Sequence, residues 1–218
     1  MTIDYAQARE KMVEQQVRPW DVLDPAVLEV LARLPREAFV PEAHQALAYA
    51  DLELPLGHGQ RMMKPVVEGR TLQALTVQPD EAVLEVGTGS GYLSACLGQL
   101  AREVVSLEIH PDLADSARQR LETSGYGTNV RVETADALQY PSERRFDVVC
   151  VTGALVDVPE RFLGWLRPGG RLFAIRGHSP VMEAVLVRND VNAPRIESLF
   201  ETDLPYLVGA APAPTFVF

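Results

Sequence analysis

This sequence is short of lysine, of cysteine and of long apolar runs, and each shortage removes a class of protein. Lys11 and Lys64 are the only lysines, and with 20 basic residues against 30 acidic ones the formal net charge is −10. Affinity for nucleic acid comes chiefly from Lys and Arg displacing counterions, so a chain this acidic lacks the broad basic surface that phosphate backbones demand. RNA and DNA are poor partners for it. The two cysteines, Cys96 and Cys150, fall in apolar segments and read as small buried hydrophobes rather than a disulfide framework. No apolar stretch approaches the ~20 residues of a membrane span. The segment Met1–Glu10 lacks the apolar core of a secretory signal, and a soluble cytoplasmic protein is expected. No spacing among His, Cys, Asp and Glu suits a metal site.

What the sequence does have is an ordinary globular balance, 47% hydrophobic and 23% charged over 218 residues, enough for one sizeable core with an appendage. The chain is organised around Ala82-Val83-Leu84-Glu85-Val86-Gly87-Thr88-Gly89-Ser90-Gly91. An apolar run ends in three alternate glycines, and Tyr92 to Leu100 continues at helical spacing, which reads as strand, tight turn, helix. Glycine lets the backbone approach a ligand, and the unpaired N–H groups of the helix start point into the same space. A ligand is expected across Gly87, Thr88, Gly89, Ser90 and Gly91.

Before this turn, Asp4 to Gln16 reads as an amphipathic helix ended by Arg18-Pro19. Asp24-Pro25 caps a second helix that runs to Pro35. Leu34 to Pro41 reads as a connector between prolines. Ala48 to Gln60 lacks a sustained period, and a long irregular segment in a compact protein is more often functional than idle. Pro65 opens a helix to Val77. Beyond the turn, strands are expected at Glu103–Glu108, Asn129–Thr134, Phe146–Thr152 and Arg171–Arg176, with helices at Pro111–Thr123 and Val158–Leu166. This alternation predicts a doubly wound parallel sheet with helices on both faces. Met182–Arg188 and Arg195–Thr202, joined through Asn189-Asp190-Val191-Asn192, should add an antiparallel hairpin at its edge. Ala210 to Pro214 reads as a loose tail.

In an open α/β sheet, ligands bind beyond the carboxyl ends of the strands. Glu108 ends the second strand about 20 residues after the glycines, where an acid accepts hydrogen bonds from ribose hydroxyls. Asp136, after the third strand, fits an acceptor for an adenine amino group, with Ala137 beside the ring and Ile109 next to Glu108. Glu85 either orders the turn or faces the ligand. His58 is the best placed of the four histidines for a ligand contact. His44 and His110 read as surface residues, and His178 as one that could face the cleft. A dinucleotide motif would need a small residue where Tyr92 stands, which disfavours but does not remove an NAD-type fold.

The run E-x-G-x-G-x-G from Glu85 resembles the first motif of S-adenosylmethionine-dependent methyltransferases. The likeness then narrows. Met12 to Gln16, Leu34 to Pro41, Ala48 to Asp51, Pro55 to Gln60, Val83 to Tyr92, Val148 to Ala154 and Pro168 to Leu172 resemble the protein-L-isoaspartate O-methyltransferases, in the same order. The resemblance covers roughly Lys11 to Arg176. It implies an α/β, Rossmann-like, doubly wound seven-stranded methyltransferase sheet (79–218) with an N-terminal helical and donor-covering region (1–78) packed on it. It also implies S-adenosylmethionine as methyl donor, S-adenosylhomocysteine as product, and isoaspartyl protein or peptide as the carboxylate acceptor in protein repair. Thr152 would lie near the transferred methyl, and Gln60, Arg61 and Lys64 would serve the acceptor side. Family members usually continue Gly-Gln with Thr-Ile-Ser, whereas this chain reads Gln60-Arg61-Met62-Met63-Lys64-Pro65. Met63 can make no useful hydrogen bond where the hydroxyl is expected, while Arg61 and Lys64 could hold an anion. Methylation of another small acid or of a hydroxyl, and donor binding without catalysis, therefore stay open.

Overall fold

A computed structural model describes residues 3–190 and 193–213. The chain begins with α1 (Tyr5–Met12), whose N-cap Asp4 accepts from the Gln7 N–H at 3.0 Å. It continues through irregular helical turns to Trp20 and into α2 (Pro25–Arg33), where Asp24 caps and Pro25 takes the first helical position. The connector after Leu34 is one turn of 3-10 helix, Arg36–Phe39, followed by a second, Glu42–Leu47. The aperiodic stretch ends in a hairpin of β1 (Leu54–Gly57) and β2 (Gln60–Met62). Its tip is Gly57-His58-Gly59, all at positive φ (100, 52 and 72°). Glycines on either side make that geometry tolerable, and His58 alone bears the cost of a side chain there. Then come α3 (Pro65–Leu75), β3 (Ala82–Val86), α4 (Tyr92–Leu100), β4 (Glu103–Glu108), α5 (Pro111–Ser124), β5 (Val130–Thr134), β6 (Phe146–Leu155), α6 (Glu160–Gly164), β7 (Leu166–His178), β8 (Val181–Arg188) and β9 (Arg195–Thr202).

The main sheet has seven strands in the order β5-β4-β3-β6-β7-β8-β9, parallel from β5 to β7 and antiparallel for the last two. Chain order reverses between β3 and β6, and the carboxyl end of β3 faces that switch point. Period-two alternation sends Val83, Val104 and Val148 to one face and Leu84, Val105 and Val149 to the other. The first face packs with residues of α1, α2, α3, α4 and α5 in one continuous core, so the N-terminal segment shares its hydrophobic interior with the sheet. The second face is covered by α6 and the segment after β5, with the Phe162 and Trp165 rings stacked at 4.5 Å.

Several expected boundaries differ: the helix from Pro65 ends at Leu75 instead of Val77, and the strand from Phe146 runs past Thr152 to Leu155. The helix expected over Val158–Leu166 is only Glu160–Gly164, because the Phe146 N–H takes the Trp165 carbonyl (2.7 Å) and Leu166 pairs with Phe146. The strand expected from Arg171 therefore starts at Leu166 and passes through Pro168-Gly169-Gly170 with a register shift. In the β8–β9 connection, Val191 and Asn192 lie outside the described residues, as does Pro214 of the expected tail. Cys96 and Cys150 are both free and buried.

Two buried polar groups stand out. Arg36, fully buried, donates from Nε to Glu68 Oε2 (3.1 Å), from Nη1 to the Ala48 carbonyl (2.6 Å), and from Nη2 to the Met63 carbonyl (2.7 Å) and Glu68 Oε1 (3.2 Å). Its guanidinium lies over the Tyr92 ring, 5.3 Å from the centroid. Glu85 is also fully buried: parallel register sets it beside Ser106, whose hydroxyl donates to Oε2 at 2.5 Å, and Ser94 of α4 donates to the same oxygen. Burial lifts the Glu85 carboxyl to about 7, against the pull of the two serines.

Removing one partner of a buried pair strands the other charge. Arg36→Ala should therefore cost about 3–5 kcal/mol, read from the urea midpoint, and a loss below about 1 kcal/mol would refute the assigned anchoring role. Because the folded pKa of Glu85 is raised above its ordinary 4.5, its contribution is complete below that value and fades as pH rises through about 7. The shift corresponds to roughly 3 kcal/mol. Glu85→Gln should be relatively more stable at pH 8 than at pH 4.5 when each is compared with the parent. A pH-independent difference between the two proteins would contradict this.

Candidate active site

The turn after β3 is held chiefly by backbone hydrogen bonds, to β4 and within itself. The Gly87 and Thr88 N–H groups reach the Leu107 carbonyl at 2.8 and 3.2 Å, and Gly91 N–H closes onto the Thr88 carbonyl at 2.9 Å. Gly87, Gly89 and Gly91 have φ of 96, 53 and 85°, values a side chain resists. At Gly87 there is also no room: a Cβ would collide with Thr152 Oγ1. At Gly91 a Cβ would lie 3.2 Å from Ala117 of α5. Thr88 Oγ1 contacts Ser106 Oγ at 2.6 Å, which ties the turn to the buried Glu85–Ser106 group beneath it.

Beside the turn, Glu108 Oε2 accepts from the Gly89 N–H (2.8 Å) and Oε1 from the His110 N–H (3.1 Å). The two backbone groups aim a carboxylate that is only 5% exposed. Asp136 accepts from the Leu138 N–H at 2.8 Å, fixing the loop that carries Ala137. Thr152 sits where the β6–β7 register slips between Cys150 and Ala154, and its hydroxyl donates to the Gly87 carbonyl (2.6 Å). Such irregularities often re-aim side chains beside sites.

These groups line one cleft with about 820 Å³ of free space, counting the part open to solvent. Gly87, Thr88, Gly89, Ser90, Glu108, Ile109, Asp136, Ala137 and Thr152 form its sheet side, and Gln60, Arg61, Met62 and Met63 come from the hairpin side. Leu56 of β1 reaches across the turn; a Cβ on Gly89 would stand 3.0 Å from its Cδ1. The hairpin thus covers the glycine turn, and the covering side chains Leu56, Met62 and Met63 are apolar.

Four candidate residues stand elsewhere. Glu85 turns away from the cleft into the core beneath the turn, where Ser94 and Ser106 donate to it. Gly91 is needed for helix packing against Ala117 and does not line the cleft. His58, at the hairpin tip, stacks on His110 (4.0 Å, 8°) at the rim, and its Nε2 lies 2.9 Å from Asp112 Oδ2. That contact holds the exposed Asp112 carboxyl below its ordinary range. Lys64 lies in a second groove behind the hairpin. Of the remaining histidines, His110 is half-buried and lines the cleft instead of lying on the surface, while His178 is exposed and outside it.

Several cleft residues were not legible in advance. Leu207 and Val208 close one end: Leu207 N–H bonds the Ala154 carbonyl at 2.9 Å, and its side chain fills the space a Cβ on Gly153 would occupy. Gly153, following Thr152 in an otherwise apolar strand, was the available signal for such a close approach. Glu68 also lines the cleft, held there by Arg36; an arginine between prolines gives no sign of burial.

The residues fit an S-adenosyl compound. Glycines leave the turn bare, a backbone-aimed carboxylate stands at the second strand end, and an aspartate with an apolar neighbour stands at the third. Among the described residues no three His, Cys, Asp or Glu cluster as metal ligands, and no helix is long and apolar enough to cross a membrane.

Comparison with known proteins agrees in extent as well as kind. The profile of the Protein-L-isoaspartate(D-aspartate) O-methyltransferase family matches residues 7–196. A protein-L-isoaspartate O-methyltransferase of Myxococcus xanthus is 47% identical over 152 residues, 69% of this chain and 71% of that protein. One of Methanoculleus marisnigri is 41% identical over 167 residues, 76% of each chain. A crystal structure from Plasmodium falciparum, described as a protein-L-isoaspartate O-methyltransferase in complex with S-adenosyl-L-homocysteine, superposes with a TM-score of 0.81. It is 18% identical and covers 94% of this chain and 99% of its own, a likeness of fold. By the extent of the family match and the identity to these relatives, the chain belongs to the protein-L-isoaspartate(D-aspartate) O-methyltransferase family.

Proposed function

We propose that this chain is an S-adenosylmethionine-dependent carboxyl O-methyltransferase acting on isoaspartyl residues of proteins or peptides, a repair activity, with S-adenosylhomocysteine as product. The observation that carries the donor side is the carboxylate of Glu108, presented by two backbone N–H groups beside a bare glycine turn. Glu108 would accept from the ribose hydroxyls, Asp136 from the adenine amino group, and Ile109 and Ala137 would flank the ring. The backbone of Gly87 to Ser90 would pass under the amino acid end, near Thr152. Glu85 and Gly91 support this wall from beneath, and His58 closes its rim.

The bound donor supplies an electrophilic methyl on a positively charged sulfur. The residues of this chain have the simpler task of alignment. A carboxylate with an ordinary pKa of ~4 is already ionised at neutral pH, so no strong general base is required. The hairpin excludes water over the turn, and Gln60 and Arg61 stand where an acceptor carboxylate would be oriented. Lys64, three residues further along the chain, lines the neighbouring groove that Arg61 also borders. The N-terminal region (1–78) thus acts as donor cover and acceptor wall for the methyltransferase sheet (79–218).

Met63 favours a second reading. Its side chain lines the cleft and is 5% exposed, where the family usually has a hydroxyl, so another small acid or a hydroxyl compound could be the acceptor. An isoaspartyl peptide assayed beside a panel of small acids separates the two. Methyl transfer to the peptide by the parent protein is the expected result. Activity found only after Met63→Ser would assign the family label to ancestry and favour the second reading. For the donor, Glu108→Ala should weaken S-adenosylhomocysteine binding by about 10- to 100-fold in calorimetry, the loss of one or two charge-assisted hydrogen bonds. Unchanged affinity would remove Glu108 from the site.

A further inference from the structure

Among the described residues three acids line the donor cleft: Glu68, Glu108 and Asp136. The proposed donor contacts use Glu108 for ribose and Asp136 for adenine, and leave Glu68 with no task beyond its pair with Arg36.

Strand order says which part of the donor Glu68 would meet. Asp136 follows β5, Glu108 ends β4, Gly87 follows β3 and Thr152 lies in β6, and these strands are successive neighbours in the sheet. An S-adenosyl compound held by adenine and ribose at the first two therefore runs toward β6, with its sulfur and amino acid end last. Glu68 stands at that end. It belongs to the first turn of α3, which packs against β7, one strand beyond β6; Arg171 of β7 donates to the Thr76 carbonyl where α3 ends (2.9 Å).

The Arg36–Glu68 pair is not symmetric about the cleft. Glu68 lines it, whereas Arg36 is fully buried behind Glu68, over the Tyr92 ring, and does not. Arg36 takes one acceptor position on each carboxylate oxygen (3.1 and 3.2 Å), and an ionised carboxylate has about four, so acceptor positions remain. The cleft thus meets the negative end of a buried dipole. Met62, Met63 and Leu93, all buried, line the cleft as well, and among such water-poor neighbours a charge acts more strongly than at the surface. Burial pushes the Glu68 carboxyl up to about 7 while Arg36 pulls it down, and a cation arriving beside it would add to that pull. The opposing cation, Arg61, reaches the cleft from the hairpin with its side chain 55% exposed and 3.8 Å from Glu53, so solvent screens it. His110 follows Glu108, at the ribose end.

We infer that Glu68 gives the site a preference for the cationic donor: it favours S-adenosylmethionine, whose sulfonium is charged, over S-adenosylhomocysteine, whose thioether is not. When the S–CH3 bond breaks, sulfur keeps the electron pair and becomes neutral, and the attraction to Glu68 ends with it. This rests on the donor-binding reading and adds a residue that eases release of the spent nucleotide.

Calorimetry on the full chain, without acceptor, gives the Kd of each nucleotide. In Glu68→Gln the ratio of the S-adenosylhomocysteine Kd to the S-adenosylmethionine Kd should fall by about 5- to 20-fold, and in Glu68→Asp, which keeps the charge, by less than about twofold. A general loss of packing weakens both nucleotides alike, so an unchanged ratio in Glu68→Gln overturns the proposal. An equal fall in both variants would trace the effect to shape instead of charge and overturn it too. The parent protein supplies the check if Glu68→Gln folds poorly. The sulfoxide of S-adenosylhomocysteine is neutral and close in size to the donor, and should bind at least about fivefold more weakly than S-adenosylmethionine. Equal binding of the two would sink the assignment. If the parent binds neither nucleotide, the donor reading itself fails and takes this one with it; binding of both, with a ratio indifferent to residue 68, condemns Glu68 alone.

Discussion

Four hydrogen bonds from one buried guanidinium hold together the wall of the cleft that the hairpin forms. Arg36 grips the carbonyls of Ala48 and Met63, at either end of the segment that carries the hairpin, and both oxygens of Glu68 on α3. The hairpin itself is small, three- and four-residue strands with a strained tip, and alone would be a marginal structure in water. Its position over the glycine turn is inherited from this anchor and from Leu56 resting above Gly89. A lysine could not replace Arg36, since a single ammonium lacks the planar fork that serves a carboxylate and two carbonyls at once.

The opposite wall depends on the same physics used inward. Glu85 occupies the strand-end position where an acid invites a ligand assignment, yet its side chain is spent on Ser94 and Ser106, and through Ser106 on Thr88. The acid that does face the cleft, Glu108, is one strand over and two residues beyond Ser106, the register partner of Glu85. Both carboxylates lie on the same face of the sheet, and position along the strand separates them: Glu85 stands beneath α4, where Ser94 and Ser106 donate to it, while Glu108 ends its strand beside the glycine turn.

Where local pattern and final environment coincide, the sequence was sufficient. β-Branched runs ending in turn residues placed the seven strands, and three glycines at alternate positions located the cleft, because the left-handed turn they form leaves bare backbone at the end of β3. The rest failed for identifiable reasons. Gly57-His58-Gly59 is not a two-residue turn signature, so the hairpin read as aperiodic chain. Pro168-Gly169-Gly170 reads as a stop, but pairing with β6 carries the strand through it. Arg36, His110 and Leu207 acquire their roles only from partners more than ten residues away, and no window along the chain shows that.

Leu207 has a consequence for how the molecule is made. The cleft is bounded by Leu56 from the early part of the chain and by Leu207 from its last strand-to-loop return, with the glycine turn between them. A growing chain emerging from the ribosome has its glycine turn long before it has the residue that closes the pocket. The glycine turn and the hairpin above it are thus made well before Leu207, and the cleft gains its last wall only when the return to β6 brings Leu207 against Gly153, so a bound nucleotide reports that return as well as the sheet.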